Sequence, residues 1–194
     1  ASPDSRRSAP PRVRPASVSR LVFDNTALSH FARAGRLDVL EVITHDFERV
    51  APEQVLTEIY RGVPDRPALA AITTLDWLEV VKLTEIIELA AFAKYKAEFG
   101  GGPDKNLGES AVLGWASING GIAIIDERTA TRAAQRDNVA VHGTMWLVAN
   151  GFRDGHLTRD DAEGIVDELA ATEMSLPVDG AGFFAYAYRE GLLP

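Results

Sequence analysis

Residues 21–31 read LVFDNTALSHF. Three apolar residues, Leu21, Val22 and Phe23, run directly into Asp24, and a polar pair, Asn25 and Thr26, follows. A carboxylate at the end of a buried strand is costly unless it is hydrogen-bonded or neutralised. Asp24 therefore has two readings: it caps the helix that begins in TALSHFARA, or it is a metal ligand. The same situation recurs downstream, where Ile122, Ala123, Ile124 and Ile125 end on Asp126, with Glu127 next. Ligands of parallel α/β sheets bind at the carboxyl ends of strands. Two strands ending on aspartate would bring two carboxylates to one edge, although helix capping remains open for each residue alone.

Outward from these two stretches the pattern alternates. Strands are expected over residues 20–24, 47–51, 77–83, 121–126 and 139–143. Helices are expected over 26–35, 36–43, 52–62 with Pro52 at the start, 84–99, 106–119 and 127–137. Further helices are expected near 144–150 and 158–172, and a last one within 181–193. GGGP at 100–103 breaks the chain and lacks the Gly-Lys-Ser/Thr ending of a phosphate-binding loop. Short apolar strands alternating with helices predict an α/β fold, a mainly parallel sheet with helices on both faces.

The chain has 194 residues, enough for one ordinary domain, and 46% of them are apolar. It has no cysteine, which excludes disulfides, zinc–thiolate sites and a cysteine nucleophile and fits a cytoplasmic protein. No apolar run reaches membrane-spanning length, so no membrane partner is expected. Residues 1–19 are rich in Ser, Pro and Arg and read as a disordered arm, leaving residues 20–194 as one domain. Five arginines and one aspartate give residues 1–20 a charge of +4, against a net −8 for the whole chain. The acidic body argues against non-specific coating of nucleic acid but leaves room for a nuclease, whose metal-binding acids add to the negative count.

Two more acids lie on apolar helix faces. Glu58 sits beside Ile59 and at i+3 from Val55, and Glu109 extends the stripe of Val112, Leu113 and Ala116. Each alone could be a rim residue reaching solvent. Clustered with Asp24 and Asp126, the four would repel one another strongly without a cation. Oxygen-only donors suit Mg²⁺ or Mn²⁺. Such an ion activates water and neutralises charge on a phosphodiester, which points to in-line attack of metal-activated water on phosphorus.

Taken in order, LVFDNTAL, VLTEI, LGESAVLGWA, IAIIDERTATRAA and VHGTMWLV resemble a PIN-domain protein, and more closely the branch of VapC-type toxins. The likeness runs from residue 20 to the C-terminus. It implies a three-layer α/β/α sandwich and a Mg²⁺- or Mn²⁺-dependent ribonuclease site of Asp24, Glu58, Glu109 and Asp126. Asp24, Glu109 and Asp126 would hold the metal, and Thr26 would orient a carboxylate or water. It further implies an RNA substrate, an antitoxin partner and a homodimer. This chain departs at the third acid, where Glu109 replaces the commoner Asp, and at the fourth, where Asp126 and Glu127 both align; strand-end geometry favours Asp126. The rival readings are a catalytically inactive PIN module acting as a protein- or RNA-binding scaffold, and a haloacid-dehalogenase-like phosphohydrolase. The last wants an Asp where Thr26 stands.

Arg128, Arg132 and Arg136 recur every four residues and form a basic stripe, with Arg128 and Arg132 the phosphate contacts nearest the acids. A solvated helix face is the plainer alternative. His142 reads as a structural strand-end residue, and Thr144 as a helix cap beside the active edge. His30, His45 and His156 show no metal-site spacing. Trp77, Trp115 and Trp146 are expected in the core, with Phe184 and Tyr188 packing the tail against the domain.

Overall fold

The structure, a computed structural model, describes residues 19–194. The arm expected over residues 1–19 lies outside them except for Ser19, whose carbonyl already accepts the Glu48 N–H at 3.1 Å. Five strands form one sheet: β1 (Arg20–Phe23), β2 (Glu48–Pro52), β3 (Glu79–Val81), β4 (Ile122–Ile124) and β5 (Ala140–His142). Their order is β3-β2-β1-β4-β5, and every pairing is parallel. Leu21, Val22 and Phe23 are wholly buried, as a strand covered on both faces must be.

Among the described residues nine α-helices flank the sheet: α1 (Asn25–Arg33), α2 (Leu37–Ile43), α3 (Glu53–Gly62), α4 (Ile86–Phe99), α5 (Leu107–Asn119), α6 (Arg128–Arg136), α7 (Thr144–Arg153), α8 (Arg159–Ala171) and α9 (Phe183–Arg189). The result is the expected three-layer α/β/α fold. A 3-10 helix over Pro67–Thr74 was not legible in the pattern, and the strand expected over 77–83 is paired only at Glu79–Val81. In the tail, α9 buries Phe183, Phe184 and Ala187. Tyr188, expected to pack, is exposed, because the turn carries it one step past the buried stripe.

The topology fixes where a site can form. From β1 the chain moves outward through β2 and β3 on one side, while β4 and β5 add on the other. The direction of winding therefore reverses between β1 and β4, and the crevice opens beyond their carboxyl ends. Asp24 and Asp126 follow those two strands. The ladder carries on past the strand ends, through Asp24 N–H to Ile124 O at 3.1 Å and Ile125 N–H to His142 O at 2.9 Å. Helices α4 and α5 lie close on this framework, since a Cβ at Gly114 would stand 2.8 Å from the backbone nitrogen of Phe92.

Candidate functional site

Asp24 is only 2% exposed, and its two carboxylate oxygens stand in different situations. Its Oδ2 accepts from Thr26 N–H at 3.3 Å and Thr26 Oγ1–H at 3.2 Å, so it caps α1. Its Oδ1 is buried with no hydrogen-bond partner. Capping accounts for one oxygen and leaves the other facing the remaining acids. Burial pushes the Asp24 carboxyl up to about 7, the negative charge of Glu109 adds to this, and Glu58 contributes further.

Glu58 reaches the same place from α3. It accepts the Gly108 N–H at 3.0 Å, at the first turn of α5, and desolvation followed by the charge of Glu109 raises its pKa. Gly108 is the hinge of the arrangement. A Cβ there would lie 2.8 Å from Glu58 Oε2 and 3.0 Å from Asp24 Oδ1, so a side chain at this position would displace the two carboxylates. Glu109, the next residue, brings the third charge.

Asp126 stands apart from this trio. It is held by the start of α7, just past the carboxyl end of β5: Thr144 N–H donates to Oδ1 at 2.8 Å and Thr144 Oγ1–H to Oδ2 at 2.7 Å. Desolvation nevertheless raises its pKa against those bonds. Gly143 permits the approach, since a Cβ there would sit 2.6 Å from Asp126 Oδ1. Glu127 is the N-cap of α6, accepting from Ala130 N–H at 2.7 Å. Burial works against its charge, but the amides of the first helical turn prevail and lower its pKa. Glu127 also bridges two hollows. One, of about 140 Å³, is shared with Glu109; the other, of about 610 Å³, is shared with Thr26, Asp126, Arg128 and His142.

Glu88 offers an internal contrast. Its surface is almost as fully covered, though at a shallower depth, and its carboxylate receives Asn119 Nδ2 at 2.7 Å, Thr84 N–H at 2.8 Å and Glu85 N–H at 2.9 Å. These donors, Asn119 first, hold it below the usual carboxylate range. A structural acid in this protein is satisfied by neutral donors, and Asp24 is not. An Mg²⁺-class ion fits the second situation, because it takes carboxylate oxygens as donors and keeps several waters. Among the described residues no three of the four acids bring oxygens within 4.8 Å of one another.

The basic stripe divides. Arg128 lines the larger cavity, and the charge of Arg132 acts on Glu127. Arg136 faces away, held by Glu98 at 2.6 and 2.9 Å and by Asp137. Trp146, expected in the core, is half-buried at the cavity wall and stacks on His142 at 4.3 Å between centroids. Desolvation lowers the His142 pKa, disfavouring the charged ring. Tyr186 and the segment Met174–Pro177 complete that wall; no spacing in the sequence marks them.

Over residues 20–179 the chain matches the family model of a PIN domain, a fold whose members are in general nucleases that use divalent metal ions. It belongs to that PIN-domain family, DUF3368. No curated protein matches the chain. No helix among the described residues is long and apolar enough to cross a membrane.

Proposed function

We propose that this chain is an Mg²⁺- or Mn²⁺-dependent endoribonuclease, its residues 20–194 acting as one nuclease domain. The observation that carries the reading is the buried, unpartnered Oδ1 of Asp24 lying beside Glu58 under the charge of Glu109. Asp24, Glu109 and Asp126 would hold the ion, with Glu58 completing the acidic set. When bound, the ion supplies positive charge against the scissile phosphate and acidifies the attacking water. Thr26 fixes the rotation of the Asp24 carboxylate, and Thr144 that of Asp126. Arg128 and Arg132 offer guanidinium groups to flanking phosphates. The Trp146–His142 wall presents aromatic surface to an unstacked base, which favours single-stranded RNA. The likeness to VapC-type toxins supports a role as the toxin of a toxin–antitoxin pair, with an antitoxin protein and a homodimer as its partners.

The test is Mn²⁺ calorimetry on wild type, Asp24→Asn and Asp126→Asn, followed by cleavage of a mixed RNA pool. Binding by wild type, weakened in both folded variants, together with cleavage lost in both, supports the proposal. Absence of Mn²⁺ binding at millimolar concentration overturns it in favour of a binding scaffold.

A further inference from the structure

The connection between α2 and β2 holds His45 and Asp46, and the connection between α7 and α8 holds His156. These two connections meet. His45 Nε2 lies 3.0 Å from Asp46 Oδ1, His156 Nε2 lies 3.8 Å from Asp46 Oδ2, and the two imidazoles stand edge to face at 4.6 Å. One donor atom from each residue falls within 4.8 Å of the other two, the only such trio among the described residues. Because β2 is parallel to β1, its start lies at the edge of the sheet opposite the acids. The trio therefore belongs to no part of the proposed nuclease site.

The hydrogen bonding says what the trio lacks. His45 Nδ1 is 3.0 Å from the carbonyl oxygen of Val42. A carbonyl only accepts, so Nδ1 carries the hydrogen and a neutral ring points the Nε2 lone pair at Asp46. Two acceptors then face each other at 3.0 Å, an arrangement that needs a positive species between them. A proton on His45 could bridge that pair, but it leaves Asp46 Oδ2 and His156 Nε2 at 3.8 Å, beyond hydrogen-bond reach. A single cation serves all three atoms. The Val42 carbonyl on Nδ1 is also the outer contact that orients metal-binding histidines and raises their basicity.

The two connections are brought together where α7 packs on α2. Gly151 lets α7 press against α2, since a Cβ there would be 2.5 Å from Ile43 Cγ2. The Gly151 carbonyl then accepts His156 N–H at 2.8 Å, fixing the backbone that carries the second imidazole.

We infer that His45, Asp46 and His156 form a second metal site, for a late first-row divalent ion of the Zn²⁺ class, which clips the α2–β2 turn to the α7–α8 connection. Two imidazoles and one carboxylate are the donors such ions take, with the remaining positions left to water, whereas Mg²⁺ prefers oxygen alone. The inference is independent of the nuclease reading.

The test uses the metal-stripped full chain and Zn²⁺ itself. Ring-nitrogen NMR of the four histidines is recorded during titration, in wild type and in Asp24→Asn, so that the acid cluster cannot supply the signal. Zn²⁺ is expected to move His45 and His156 and to leave His30 and His142 in place, with Mg²⁺ moving none. Calorimetry should show Zn²⁺ affinity falling at least about tenfold in His156→Gln and in Asp46→Asn. Both positions are near the surface, so the melting curves of the metal-free variants should stay close to wild type, while the Zn²⁺-induced rise in Tm should vanish. Zn²⁺ shifts confined to His30 or His142, or undiminished affinity in both variants, would overturn the site and leave the trio as an ion pair with a neighbouring imidazole.

Discussion

Asp24→Asn should make the metal-free protein more stable while weakening the proposed binding of Mn²⁺. The folded carboxyl titrates at about 7, against an ordinary 3.8. A carboxyl raised in the folded state binds more protons there than in the unfolded chain, so stability falls as pH rises between the two values. With those values the ionisable group costs the fold about 4 kcal/mol at pH 8, but only about 1.5 kcal/mol at pH 5. Asparagine keeps an oxygen for Thr26 N–H and Oγ1–H, so the cap survives, and its amide nitrogen can donate toward Glu58. Allowing for imperfect geometry, the variant should gain about 2 to 4 kcal/mol at pH 8, roughly 4 to 16 °C in Tm for a chain of this size. Thermal melts in chelator at pH 8 and pH 5 measure it directly, and added Mn²⁺ should raise the Tm of wild type alone. A variant no more stable than wild type at pH 8, or equally favoured at both pH values, would refute the argument that Asp24 is held against its own charge.

Thr144→Val removes one of the two bonds to Asp126. It should cost about 1 kcal/mol in a chemical melt and weaken Mn²⁺ binding by calorimetry, with the backbone bond from Thr144 limiting the loss. Arg128→Ala and Arg132→Ala should leave the melt unchanged, weaken RNA binding and each flatten its salt dependence by about one unit of slope; Arg136→Ala, turned toward Glu98, should leave the salt slope alone. Gly114→Ala would push a methyl into the Phe92 backbone, which cannot swing aside as a side chain can. It should lower stability by about 1 to 3 kcal/mol in denaturant.

The alternation of short apolar strands with helices was enough to read the order of elements and the parallel sheet, because strands buried on both faces leave unbroken apolar runs such as Leu21–Phe23. The 3-10 helix escaped, since Pro67–Thr74 has neither helical periodicity nor strand alternation. At the site, the sequence placed Asp24 and Asp126 at strand ends but could not tell a cap from a ligand. Asp24 does the first with one oxygen and leaves the second free, a distinction visible only in three dimensions. The partnership of Asp126 with Thr144 depends on β5 lying beside β4. The His45–Asp46–His156 trio was invisible for the same reason: no local spacing relates two loops that meet only because α7 packs on α2. Buried acids also mislead in isolation. Glu88 carried no signal and proved structural.

Gly108 sets this protein against ordinary selection for robustness. In a helix, alanine outranks glycine by about 1 kcal/mol, so a search guided by thermal stability would favour Gly108→Ala if the surrounding carboxylates were ignored. That methyl would occupy the space where Asp24 and Glu58 converge. A lineage chosen on helix propensity alone would turn those two carboxylates aside and lose its acidic pocket while keeping its shape. Such a descendant would still be classed by fold with its ancestors, and a side chain at position 108 would be the mark of the altered pocket.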